Sequence, residues 1–287
     1  MTSIVTATPG QMPRVTASWL AVREAADAAA RSAALVAELR RHLAGRRRLV
    51  VHDLGCGTGA AARWLAPRLP ARQHWVLHDR DPLLLAEAAA HPPARARVTV
   101  TTREGDVTAL TPADLAGADV VTAAALTDLL TGDEVDRVVG ACVGAGAATL
   151  VTLSVTGRVE LAPADPLDTA IGAAFNAHQR RAVGARRLLG PDAVDAMVDA
   201  FDRRGVPVLL APSPWRLGPG DPALLDGWLA GWIDAACEQE PALAGPVAAY
   251  AARRRAQLDR GGLSATVHHL DVLALPGKGS RNPMARP

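Results

Sequence analysis

Apolar positions along the chain fall into short runs separated by stretches of helical spacing. Residues 1–15 are polar, carry Pro9, Gly10 and Pro13, and are expected to form a flexible arm. Residues 16–44 hold neither glycine nor proline and predict one long helix ended by Gly45, a covering element over 16–45. Leu35, Leu39 and Leu43 share a face of its second half; Trp19, Arg23 and Asp27, spaced by four, share a face of its first half. The run 49–54 predicts a buried strand. Further strands are expected at 74–79, 98–102, 118–125, 148–155 and 206–211. Helices are expected at 60–65, 83–90, a short one behind Thr111-Pro112, 133–142 and 191–204. The fourth of these is opened by the capping box Thr131-Gly132-Asp133-Glu134. A strand at 263–275 closes the pattern, and the tail 276–287 is expected to be flexible.

The rhythm is lost twice, at 156–190 and 221–260. The first insertion holds the polar run Phe175 to Arg181, and the second is helical with Leu224, Leu225, Trp228, Leu229 and Trp232 on one face. Strands that alternate with helices predict an α/β fold, a doubly wound Rossmann-like sheet with helical insertions, in one domain over 16–275.

Composition narrows the function classes. Hydrophobic residues make up 49% and aromatics 3%, so the core is built from Leu, Val and Ala. Lys278 is the single lysine among 31 basic residues, a bias that points to a GC-rich bacterial genome. A net charge of +2 gives no phosphate-tracking surface and argues against nucleic acid as partner. Cys56, Cys142 and Cys237 lie far apart without a C-x-x-C, so neither a disulfide framework nor a metal site is indicated. No apolar run reaches membrane-spanning length and no signal pattern opens the chain, so the expectation is a cytoplasmic protein off the membrane, a monomer or homodimer.

The chemistry is concentrated in Asp53-Leu54-Gly55-Cys56-Gly57-Thr58-Gly59, which reads as strand, glycine turn and helix. Glycine lets the backbone turn sharply and lets a ligand lie against it, which is the geometry of a nucleotide site at the carboxyl edge of a parallel sheet. The second strand ends in Asp79, about twenty residues beyond the glycines, where a carboxylate binds a ribose diol. Arg80 stands beside it, and Asp81 precedes Pro82 as a helix cap.

The wording D-L-G-C-G-T-G resembles the first motif of class I S-adenosylmethionine-dependent methyltransferases, of the bacterial small-molecule type. The resemblance implies a seven-stranded methyltransferase sheet whose last strand runs antiparallel beside the fifth. It implies S-adenosyl-L-methionine as cofactor and S-adenosyl-L-homocysteine as product. Asp53, Gly55, Cys56, Gly57 and Gly59 then form the cofactor turn, with Asp79 and Arg80 beyond it. Asp106 matches the acid that accepts from the adenine amino group, Val107 the backbone N–H that donates to a ring nitrogen, and Ala123 and Ala124 the carbonyls that meet the methionine ammonium. Arg23 is expected to meet the cofactor carboxylate or an anionic substrate. By analogy the insertions 156–190 and 221–260 build the pocket for a small-molecule substrate.

Methyl transfer from a sulfonium needs mainly alignment, and a base only when the acceptor has a high pKa. His178, Asp128 and His268 are the candidates for that base. Two other readings use the same turn: an NAD-dependent oxidoreductase, opposed by Asp53, the third glycine and Gly105-Asp106, and a non-catalytic S-adenosylmethionine-binding protein. The N-P-P-Y type of motif seen in nucleic-acid N-methyltransferases is missing after the fourth strand.

Overall fold

The computed structural model describes residues 5–6, 14–94 and 97–277. Within the expected arm, β1 (Val5–Thr6) pairs antiparallel with β2 (Arg14–Val15), so those residues have structure of their own. The rest of the arm, and the tail from residue 278, lie outside the described residues.

The long amino-terminal helix is two helices, α1 (Ala17–Ala30) and α2 (Ala33–His42). Ser32 breaks it in two ways. Its hydroxyl accepts from Leu35 N–H as an N-cap, and its own N–H is taken out of the helix by Asp271 Oδ2 at 2.7 Å. There follow β3 (Arg48–Leu54), α3 (Ala60–Leu65), β4 (Arg72–Asp79), α4 (Pro82–Ala90), β5 (Val98–Glu104) and β6 (Val120–Ala124). The short helix expected behind Thr111-Pro112 is instead a run of turns over 112–117. Asp114 Oδ2 accepts from both the N–H and the hydroxyl of Thr111, a local alternative that competes with the helix.

Next come α5 (Gly132–Gly144), with the capping box as expected, β7 (Ala148–Ala162), α6 (Asp168–Gln179) and the hairpin β8 (Ala182–Val183) and β9 (Arg186–Arg187). The chain closes with α7 (Ala193–Asp202), β10 (Val208–Pro212), β11 (Trp215–Leu217), α8 (Pro222–Gln239), α9 (Ala244–Asp259) and β12 (Ser264–Ala274). The main sheet runs β10-β12-β7-β6-β3-β4-β5. Its five central and outer strands β7, β6, β3, β4 and β5 are parallel, and β12 lies antiparallel beside β7 as the resemblance implies.

One apolar layer covers each face. Leu35 and Leu39 of α2, Trp64 of α3 and Leu85 of α4 pack on Val51, Trp75 and Leu77; Val135 and Val139 of α5 and Met197 and Phe201 of α7 pack on Leu54 and Val121. A third core stands above the carboxyl edge. There β7 and β12 continue beyond the sheet as partners through Ala162 and Ser264, β11 pairs with β12, and α6, α8 and α9 close over them around Ile171, Trp215, Trp232 and Tyr250. The first insertion therefore begins after residue 162, because residues 156–162 extend the fifth strand rather than leave it. Trp19, Ala26 and Ala30 of α1 pack against this cap, while Glu24 pairs with Arg63 of α3, so α1 is wedged between cap and sheet.

Candidate active site

The wedge of α1 leaves a cleft of about 420 Å³ at the carboxyl ends of β3, β4, β5 and β6. Gly55, Gly57 and Gly59 have φ of +64°, +54° and +81°, the left-handed region that L side chains avoid. Leu20 of α1 and Leu126 press on the turn. A Cβ on Gly57 would stand 2.9 Å from Leu20 Cδ1, and one on Gly55 2.9 Å from Leu126 Cδ1.

Asp79 holds the turn in shape, its Oδ2 accepting from Gly57 N–H at 2.8 Å and its Oδ1 from Asp81 N–H at 3.0 Å. An ionised carboxylate has about four lone-pair sites, so two remain for a ligand. Arg80, Asp106 and the buried Val107 also line the cleft. Asp106 Oδ1 accepts from Thr108 N–H and Oγ1–H, both at 2.8 Å. The β6 end departs from expectation by one residue. Ala124, Ala125 and Leu126 line the cleft, with Ala125 at φ +48°, whereas Ala123 packs in the core under α5.

Asp53 is fully buried, and neither of its carboxylate oxygens has a partner among the described residues. Burial pushes its pKa up to about 7, with Arg31 opposing and Asp79 adding to the rise. Arg31, a residue the sequence reading passed over, faces it. Arg31 is 5% exposed, and burial lowers its pKa against the pull of Asp27. Its Nε reaches Thr152 Oγ1 at 3.4 Å, its Nη2 lies 3.9 Å from Asp27 Oδ2, and its Nη1 has no partner among the described residues. The signal was present: Arg31 continues the four-residue spacing of Arg23 and Asp27.

Arg23 and Asp27 do share the predicted face and both line the cleft. Arg23 gives Nε and Nη2 to Asp27, and its guanidinium lies 4.9 Å from the centre of the Trp215 ring. Trp215 Nε1–H donates to Asp27 Oδ1 at 3.0 Å, so three residues hold one buried carboxylate. Cys56 lines the cleft as a buried thiol whose pKa burial drives up, unsuited to act as a nucleophile.

The three candidate bases separate. Asp128 is itself off the lining but stands on the loop whose neighbours Leu126 and Leu129 line the cleft; its Oδ1 is buried without a partner among the described residues and burial raises its pKa. His178 is off the cleft lining, on α6 against α8, with Nε2 3.2 Å from Glu238 and Nδ1 3.2 Å from Arg181 Nη1. His268 is on the extension of β12, 3.7 Å from Glu160, and is also off the lining.

Among the described residues no helix is long and apolar enough to cross a membrane, and no three His, Cys, Asp or Glu side chains group as a metal site would require. Residues 51–145 match the model of a family described as a methyltransferase domain. No curated protein matches the chain. Among solved structures, a SAM-dependent methyltransferase from Thiobacillus denitrificans, in complex with S-adenosyl-L-homocysteine, is 16% identical, with 90% of this chain and 98% of that one covered and a TM-score of 0.45. A geranyl diphosphate C-methyltransferase from Streptomyces coelicolor is 13% identical over 85% of this chain and 77% of its own, with a TM-score of 0.45. YjhP from E. coli is 15% identical over 90% and 99%, with a TM-score of 0.43.

Proposed function

We propose that this protein, whose residues 51–145 match a methyltransferase-domain model, transfers the methyl group of S-adenosylmethionine to a small-molecule acceptor and releases S-adenosylhomocysteine. The observation that carries the reading is the bare carboxylate of Asp53 at the cleft, together with the partnerless Nη1 of Arg31 in the same lining. A buried polar group without a partner is expensive, and an amino-acid end with one ammonium and one carboxylate supplies both missing partners. A dinucleotide pyrophosphate supplies neither and would stand among Asp53, Asp79 and Asp106.

In this reading Asp53 holds the ammonium and Arg31 the carboxylate. Asp79 binds the ribose diol with its free lone pairs, Asp106 and Val107 meet the adenine, and the glycine turn admits the cofactor against bare backbone. The bound sulfonium supplies a methyl group on an excellent leaving group. What the chain adds is alignment, through the leucines of α1 and of the loop after β6, and exclusion of water by the wedge of α1. Asp128 is the base where the acceptor needs one, because its loop borders the cleft and burial raises its carboxyl above the ordinary aspartate range. A cleft of about 420 Å³ lies within the range of small-molecule sites.

Calorimetric titration with S-adenosylmethionine, S-adenosylhomocysteine and NAD tests the cofactor, with binding of the first two and not the third expected. Incubation with methyl-labelled cofactor and a bacterial metabolite extract tests the transfer. Binding of NAD alone would overturn the reading.

A further inference from the structure

Two guanidinium groups enter the cleft from one face of α1, yet the cofactor's amino-acid end has a single carboxylate. This inference rests on the cofactor reading above. Arg31 is the inner group, beside Asp53 and the end of β3. Arg23 lies eight residues earlier, about 12 Å along the helix axis at 1.5 Å per residue, and the Asp27 carboxylate, paired with both, stands between the two guanidinium groups.

The surroundings of Arg23 differ in kind from those of Arg31. Its plane is fixed by the Asp27 carboxylate on one edge and the Trp215 ring on one face, and its Nη1 has no hydrogen-bond partner among the described residues. Asp27 is shared with Arg31 and Trp215, so it neutralises neither guanidinium alone. Two other titratable groups act on Arg23 from packed elements. His269 on β12 is buried at the edge of Trp215 and stays neutral, burial and Arg23 holding its pKa down to about 3. Asp128 is the other, its carboxyl raised by burial and therefore a weaker counter-ion than an exposed aspartate. Apolar Leu20, Leu126 and Leu129 complete this part of the lining. A planar, preset guanidinium beside an apolar wall is suited to bind a carboxylate on an otherwise apolar molecule.

We infer that Arg23 anchors the methyl acceptor rather than the cofactor, and that the acceptor is a small apolar molecule bearing a carboxylate. Arg23 is then a specificity determinant, whereas Arg31 belongs to the cofactor.

Benzoate and its neutral isostere benzamide are the probes, titrated into protein saturated with S-adenosylhomocysteine. Wild type should bind benzoate at least tenfold more tightly than benzamide. Arg23→Met should erase that preference, Arg23→Lys should keep part of it, and both variants should bind S-adenosylhomocysteine within threefold of wild type, which also reports that they are folded. Equal binding of the two probes by wild type, or no binding of either, overturns the inference. So does a tenfold loss of S-adenosylhomocysteine affinity in Arg23→Met accompanied by wild-type circular dichroism, since Arg23 would then serve the cofactor. A wild type that fails to bind S-adenosylhomocysteine defeats the underlying cofactor reading instead, and is seen before either probe is added.

Discussion

Replacing Asp53 with asparagine removes a charge that the cofactor-free fold buries with no hydrogen-bond partner. The carboxyl is raised from 3.8 to about 7 on folding, so the folded chain holds its proton more tightly than the unfolded one. Its contribution to stability is therefore complete below about pH 4, falls as pH rises toward 7 and is gone above it. Three units at 1.36 kcal/mol each place the difference on the order of 4 kcal/mol. Asparagine matches the shape of the protonated acid and cannot ionise. The variant should equal wild type near pH 4 and exceed it at pH 8, by up to about 8 °C in melting temperature at roughly 2 °C per kcal/mol for a chain of this size. S-adenosylhomocysteine should reverse the order, stabilising wild type strongly and the variant weakly, because the ammonium has lost its counter-ion. Scanning fluorimetry from pH 4 to 8, with and without ligand, measures all of this. A variant that melts below wild type at pH 8, or a gap that does not change with pH, would refute the account of Asp53 as a bare carboxylate awaiting a cation.

Arg31→Met should weaken S-adenosylhomocysteine binding by one to two powers of ten, the worth of a charge-assisted hydrogen bond of about 1.5–3 kcal/mol, as read by calorimetry. Asp128→Asn should lower turnover by about 10² to 10⁴ on an acceptor of high pKa while cofactor affinity stays near wild type, measured by label transfer and titration. In the cap, Arg254 is fully buried and donates to Pro163 O at 2.6 Å and Gln257 Oε1 at 2.9 Å besides pairing with Asp168. Arg254→Met should therefore destabilise by about 3–5 kcal/mol in urea unfolding, because it removes the cation paired with Asp168 and the donor to the Pro163 carbonyl. His178→Ala should change stability at the contact with Glu238 and leave the Michaelis constants unmoved; a turnover loss without destabilisation would return His178 to the site.

What could be read from the chain was chemistry carried by neighbours in sequence. Asp53 and the three glycines belong together within seven residues, and the strand–helix alternation around them needs only local periodicity. The capping box at Thr131 is equally local, and Leu35 and Leu39 kept their apolar stripe whether or not the helix was broken before them. What escaped depends on distant partners. The break at Ser32 is made by Asp271, and the burial of Arg31 depends on Thr152 and Trp64. His178 looked free on a polar run until α8 brought Glu238 to it. The extension of β7 was hidden because Gly157 and Arg158 interrupt the alternation, and only pairing with β12 restores it. Ala123 and Ala124 could be placed on the fourth strand but not divided between core and cleft, since that depends on where the strand ends.

The cap shares two strands with the sheet, β7 with 15 residues and β12 with 11, each running through both layers without a linker. Swinging the cap away would tear the β7–β12 ladder, so it has no hinge of the kind that lets a domain close over its ligand. The β8–β9 hairpin reaches the cleft from outside this ladder, through Arg186, which lines it and is held by Glu134. Amide hydrogens of residues 156–161 should then exchange as slowly as those of 149–155, in one cooperative unit. Evolution working on such a frame cannot exchange the acceptor wall as a cassette; it has to edit individual side chains on α1, on the loop after β6 and on β11, where each change is felt by the sheet itself.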